Sequence, residues 1–164
     1  MKALTIHQPW ASLIIEGHKP FEFRGWRAFD SVIGQRIVIH ASIRKPTQKE
    51  IAEIFCNMVA GGEDAARTCL KPSTELERRL KEMHDIPESM PRGVALGTAV
   101  LSEVVTGNEA AHEFGVREFE DQLSGHAANF GWRLIDIDRW ETPVPAKGFQ
   151  GFWNWPGPER NDDA

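Results

Sequence analysis

The sequence predicts an α+β fold built on a mixed β-barrel. Five or so segments are rich in β-branched residues or alternate apolar with polar side chains, and two to four helical stretches lie between them. The strands and helices do not alternate regularly, which points away from a doubly wound parallel sheet. At 164 residues the chain has the size of one domain, able to bury about two-thirds of the surface its unfolded form exposes.

Ala3 to His7 reads as the first strand. Pro9 presets the first turn of a short helix through residues 11–16, and Gly17 is its left-handed stop. Phe21, Phe23 and Ala28 interleave with Glu22, Arg24 and Arg27, which predicts an extended segment. Arg36 to Ala41 is a β-branched strand, and these two segments are expected to pair. Pro46-Thr47-Gln48-Lys49-Glu50 has the capping-box arrangement, with Ile51, Ile54, Phe55 and Met58 recurring behind it at helical spacing as far as Gly61-Gly62.

From Glu63 to Pro91 the chain turns polar, and a second cap at Thr74-Glu75-Leu76-Glu77 opens a charged helix reaching about His84. Residues 61–91 therefore read as a helical insertion or lid. Gly93 to Val105 is expected to be a long central strand, broken by Gly107-Asn108 into a polar helical stretch. Phe130, Trp132 and Leu134 alternate at strand spacing, Thr142-Pro143-Val144-Pro145 reads as an extended connector, and Phe149 to Trp153 supplies a last strand. Residues 1–157 form the expected domain, and 158–164 a flexible tail.

Composition excludes several classes. No run approaches the roughly 18 apolar residues of a membrane span, and no signal-peptide pattern forms before Gln8-Pro9-Trp10, so the expectation is a soluble cytoplasmic protein with no membrane partner. Cys56 and Cys69 are expected to be packed free thiols. The six histidines show no HExxH, and there is no CxxC, so neither metal nor cofactor is expected. The net charge of −5 conceals an asymmetry: residues 1–50 carry eight cations against four carboxylates, leaving −9 for the rest. That split describes either a local basic cleft on an acidic body or an uneven solvated surface.

The densest cluster of unusual residues is Gly17-His18-Lys19-Pro20-Phe21-Glu22-Phe23-Arg24. Residues two apart in a strand share a face, so Glu22 and Arg24 point the same way, with Lys19 just before them at the helix–strand junction. Arg24 offers a planar fork for phosphate or carboxylate, Glu22 can accept from a base amine or take a proton, and a desolvated Lys19 titrates nearer neutrality. The alternative is an ion-pair network that fixes the loop to the barrel, with Glu22 paired to either cation.

The segment resembles the ASCH signature GxKxxExR, matched at Lys19, Glu22 and Arg24. Ile39-His40-Ala41-Ser42 and the closing Lys147-Gly148-Phe149-Gln150-Gly151-Phe152-Trp153 are also similar to bacterial members. The resemblance spans most of the chain outside 61–91. It implies a PUA-like mixed β-barrel of five to six strands with flanking helices, a motif-lined cleft between barrel and helix, and RNA or a nucleoside or nucleotide as ligand. Similar small bacterial proteins are amidohydrolases that deacetylate acetylcytidine through a Lys, a Thr and a Glu. Lys19 matches the Lys, Glu22 stands where they have Thr, and Glu103, Glu109 and Glu113 are candidates for the Glu. Others are ribonucleases that use the signature Lys.

The catalytic candidates are thus Lys19 and Glu22, with Arg24 as a binding group. Trp10, Trp26 and Trp132 fall near the expected cleft, where Trp26 is the first choice to stack a base and burial in the barrel is the alternative; Trp153 and Trp155 read as a C-terminal latch. Gln8, next to His7, is placed to read a base edge. His40 and Ser42 suggest a base and a nucleophile, against a strand-end histidine bonded to backbone, and Arg44 with Lys45 forms a phosphate contact or a solvated pair. Three functions follow: an RNA or nucleoside reader, a hydrolase of a nucleoside amide or RNA phosphodiester, and a protein-interaction module docking through the acidic C-terminal half and the helix at 71–85.

Overall fold

The structure, a computed structural model, describes residues 1–122 and 125–157. Six strands form one curled sheet in the order β2-β5-β4-β3-β1-β6, comprising β1 (Lys2–Ile6), β2 (Phe21–Arg24), β3 (Arg36–Ala41), β4 (Val94–Thr106), β5 (Phe130–Pro145) and β6 (Phe152–Asn154). Six helices accompany it among the described residues: α1 (Trp10–Ile15), α2 (Gln48–Ala60), α3 (Gly62–Thr68), α4 (Thr74–Asp85), α5 (Gly107–His112) and α6 (Gly125–Ala128). The sheet is a PUA-like half-barrel, the α+β class expected.

The sheet differs in pairing from the sequence expectation. β2 and β3 are not partners: β2 runs antiparallel to β5, with Phe21 opposite Arg133 and Phe23 opposite Gly131, while β3 lies between β4 and β1. β1 and β3 are parallel, so the intervening chain has to cross over, and α1 is part of that crossover. β2 ends at Arg24, short of Ala28. The connector at 142–145 is the end of β5, pairing Val144 with Ala95 and Pro145 with Val94. Proline fits there because β2 covers β5 only as far as Arg133, leaving the rest of β5 an edge. The last strand begins at Phe152, not Phe149.

Helix α1 is buried nearly all round. Ile14 and Ile15 pack on the barrel core with Leu4, Ile37, Leu101 and Trp132, and Leu13 joins a second core with Ile51, Met58, Leu76, Leu80 and Met83 of α2 and α4. Each fully buried Leu or Ile contributes about 1.5–3 kcal/mol. Gly97 lets α1 and β5 approach β4: a Cβ there would lie 2.2 Å from the Asp138 carbonyl oxygen and 2.9 Å from Ile15 Cδ1. The Thr47–Glu50 capping box forms as expected, while Ser73 caps α4 in place of Thr74. Cys69 is buried but Cys56 is exposed, because position 56 falls off the buried stripe of Ile51, Ile54 and Met58. No described helix is long and apolar enough to cross a membrane. The expected tail at 158–164 lies outside the described residues.

Candidate functional site

Lys19 is placed by backbone hydrogen bonds. The amides of His18 and Lys19 both donate to the Leu13 carbonyl, at 2.9 and 3.1 Å, which folds the loop after α1 back on the helix. Lys19 is only 5% exposed. Its Nζ donates to the Thr68 carbonyl oxygen at 2.9 Å and sits 4.7 Å from the Trp10 ring centroid and 5.2 Å from that of Phe23. Thr68 ends α3, and Cys69 follows in the left-handed region (φ 53°), so the ammonium occupies the electronegative end of that helix. Among the described residues no carboxylate lies within 4 Å of it. Burial pushes the Lys19 amine below the ordinary lysine range, although Cys69 and Glu22 oppose this.

Glu22 pairs with Arg24 instead, at 3.0 Å. Burial raises the Glu22 carboxyl above its ordinary value, against the pull of Arg24 and Lys19. Arg24 Nη2 also donates to the Thr5 carbonyl of β1 at 2.9 Å, which links the two margins of the curled sheet. Its Nε is buried and finds no acceptor among the described residues.

Trp10 and Thr68, the neighbours of Lys19, line a polar cleft of about 350 Å³. One wall is His7, Gln8, Pro9 and Trp10, the facing wall is Glu50, Glu53, Ile54 and Asn57 of α2, and Arg44, Arg67, Thr68 and His126 close it. Lys19 stands behind Trp10 and Thr68. His7 Nδ1 lies 2.7 Å from Ser42 Oγ, and partial desolvation of the ring, followed by the charges of Arg44 and Arg24, lowers its pKa. His126 is lowered to about 4 by burial, Lys19 and Arg67. Arg44 pairs with Glu50, and Arg67 with Glu63 at 3.0 Å.

The sequence candidates therefore divide. Trp10, Gln8 and Arg44 line the cleft and Ser42 reaches it through His7, whereas Lys19, Glu22 and Arg24 are not part of its lining; Lys19 touches it only through its contacts with Trp10 and Thr68. Gln8 is committed to structure: its Oε1 takes the Ser12 amide at 3.1 Å, capping α1 where Pro9 cannot, and its Nε2 donates to the Pro91 carbonyl at 2.7 Å. His40 lies elsewhere. Its Nε2 bonds the Ala146 carbonyl at 3.0 Å beneath the C-terminal segment, so close that a Cβ on Gly148 would lie 2.3 Å from its Cε1. Trp26 plugs the barrel opening edge-on to Trp132 and Phe152, with centroids 4.7 and 6.0 Å away. Trp132 is fully buried.

Glu103 and Glu113 both pair with Arg133, and Glu109 caps α5 at Thr106. Sequence reasoning missed the cleft faces of α2 and α3 and His126, and gave His7 the same reading as His40, a base set against a strand-end histidine bonded to backbone. The spacing of positions 50, 53, 54 and 57 marks one helical face, but nothing in it says what that face meets. Among the described residues no three His, Cys, Asp or Glu groups are placed to hold a metal. A second, apolar groove of about 690 Å³ runs between α2 and α4, bordered by Phe55, Cys56, Leu80 and Lys81, on the helix expected to serve protein docking.

The chain is 27% identical over 112 residues to human activating signal cointegrator 1, covering 68% of this chain and 16% of that protein's length. Among solved structures it is similar to the ASCH protein of Zymomonas mobilis: 14% identity, TM-score 0.45, covering 88% of this chain and 72% of the other. The S128A mutant of that protein aligns at 16% identity and TM-score 0.45, over 88% of this chain and 72% of the mutant. The ASCH domain family model matches residues 4–142, and the chain belongs to the ASCH domain family.

Proposed function

We propose that the chain binds single-stranded RNA, or a nucleoside derived from it, in the cleft between β1–α1 and α2. One observation carries this: a polar cavity within the size range of ligand sites is lined by Trp10 and Thr68, which contact a buried ammonium, Lys19, that has a carbonyl and two aromatic rings for neighbours and no carboxylate partner among the described residues. Such a charge is costly for the fold; the Thr68 carbonyl at the end of α3 offsets part of that cost, and an anion in the cleft would add to the offset. The association of ASCH domains with RNA agrees with this, and so does the excess of cations in residues 1–50.

Hydrolysis is a second reading, favoured by the opposite displacements of Lys19 and Glu22. A lysine moved down and a glutamate moved up bring both groups nearer to exchanging protons at neutral pH. Wild type and Lys19→Ala, presented with short single-stranded RNA, acetylcytidine and unmodified nucleosides, separate these readings when binding and product formation are followed together. Binding weakened about tenfold or more by Lys19→Ala, without product, is the expected result. Product formed by the wild type and lost in Lys19→Ala makes the chain a hydrolase. Silence on both counts overturns the proposal.

A further inference from the structure

Four residues of α2 face the cleft, Glu50, Glu53, Ile54 and Asn57, at positions that share one side of a helix. Glu50 is already committed, since it accepts the Thr47 amide at 2.7 Å and pairs with Arg44. The other two polar groups are not. Asn57 makes no side-chain hydrogen bond among the described residues, and Glu53 has only a loose pairing at 3.8 Å with Lys49, whose own side chain is 86% exposed. Ile54 beside them and Trp10 on the facing wall are flat or apolar. A planar ring entering between these walls meets a hydrogen-bonding edge made of one carboxylate and one carboxamide.

That edge has a definite polarity. Glu53 only accepts, and Asn57 accepts through its oxygen and donates through its nitrogen. We infer that α2 selects the bases whose exocyclic amine lies beside an unprotonated ring nitrogen on the Watson–Crick edge, adenine or cytosine, and rejects uracil, through Glu53 and Asn57. An amine donates to the Glu53 carboxylate, and a carboxamide such as that of Asn57 makes a paired contact with an amine and its adjacent ring nitrogen. Uracil presents a carbonyl oxygen where the amine would be, which sets acceptor against acceptor at Glu53, so the rejection comes from Glu53 while Asn57, able to donate or accept, supplies the paired contact with the preferred base. The inference rests on the RNA reading and names its ligand class.

The test uses the full chain and homohexamers of adenosine, cytidine and uridine, with affinity measured by fluorescence anisotropy for wild type, Asn57→Ala and Glu53→Gln. Both positions are at least partly open to solvent, and unfolding midpoints verify that the variants remain folded. Wild type is expected to bind the adenosine or cytidine strand about tenfold more tightly than the uridine strand. Asn57→Ala lowers binding of the preferred strand and leaves the uridine strand unchanged. Glu53→Gln, which adds a donor, closes the gap by tightening the uridine strand. Equal affinity of the wild type for all three, a preference for uridine, or a ratio untouched by both variants overturns the base selection while leaving RNA binding in place. Absence of binding to any strand overturns the RNA reading and this inference together.

Discussion

At the residue scale, charges near the cleft are held away from their ordinary ionisation, with consequences that can be measured. His126 packs edge-on against Phe23 at 5.2 Å and lies beside Lys19 and Arg67, which together with burial depress it to about 4. A depressed imidazole is neutral in the fold but binds a proton in the unfolded chain below its usual 6.5. Stability is therefore fully present above about 6.5 and is lost as pH falls toward 4. His126→Gln is expected to flatten that loss, as read from urea unfolding at a series of pH values; an unchanged slope places the acid sensitivity elsewhere. The Glu22–Arg24 pairing was legible because strand alternation puts the two on one face. His126 was not legible, since its meaning comes from Lys19, more than a hundred residues distant in sequence.

At the element scale, α2 is the part of the site that local signals describe best. Its start is set by Thr47, whose hydroxyl accepts the Glu50 amide at 3.2 Å while the Glu50 carboxylate returns to the Thr47 amide, and these bonds with Arg44 hold Glu50 at about 2. Thr47→Ala is expected to cost about 1 kcal/mol of unfolding free energy, and Thr47→Ser far less, as measured by denaturant titration. Equal losses for the two would show that the hydroxyl does not cap. The α2 cap, the glycine stops and the buried stripe of Ile51, Ile54 and Met58 were readable because they act within a few residues, whereas the cap of α4 fell one residue before the expected Thr74, at Ser73. Pairing of β2 was not, because alternation at Phe21 and Phe23 marks a strand without naming its neighbour. The same limit applies to Phe55, which continues the helical pattern yet is only half-buried beside the outer groove.

At the scale of the whole molecule, the curled sheet is closed by side chains in place of a further strand pairing. Arg24 reaches from β2 to the Thr5 carbonyl of β1, and Trp26 fills the opening against Trp132 and Phe152, themselves stacked at 5.2 Å. Trp26→Ala is expected to cost about 2–3 kcal/mol, below the range for a fully buried aromatic because Trp26 is half-buried, and to leave RNA affinity nearly unchanged. Trp10→Ala is expected to weaken RNA binding instead; measuring stability and affinity for both variants decides, and a reversal of the two patterns would return Trp26 to the binding role expected from its sequence position. The sequence by itself determined the α+β class, the α2 cap and the glycine stops, the family signature and the shared face of Glu22 and Arg24, because each is written in side-chain periodicity or in contacts spanning a few residues. Only the tertiary structure decided that α3 supplies the carbonyl holding Lys19, that α2 faces Trp10 across a cleft, and that His40 and Trp26 are not part of that cleft's lining. Those relations depend on which distant surfaces bury one another, and that choice is made by the packing of the whole chain.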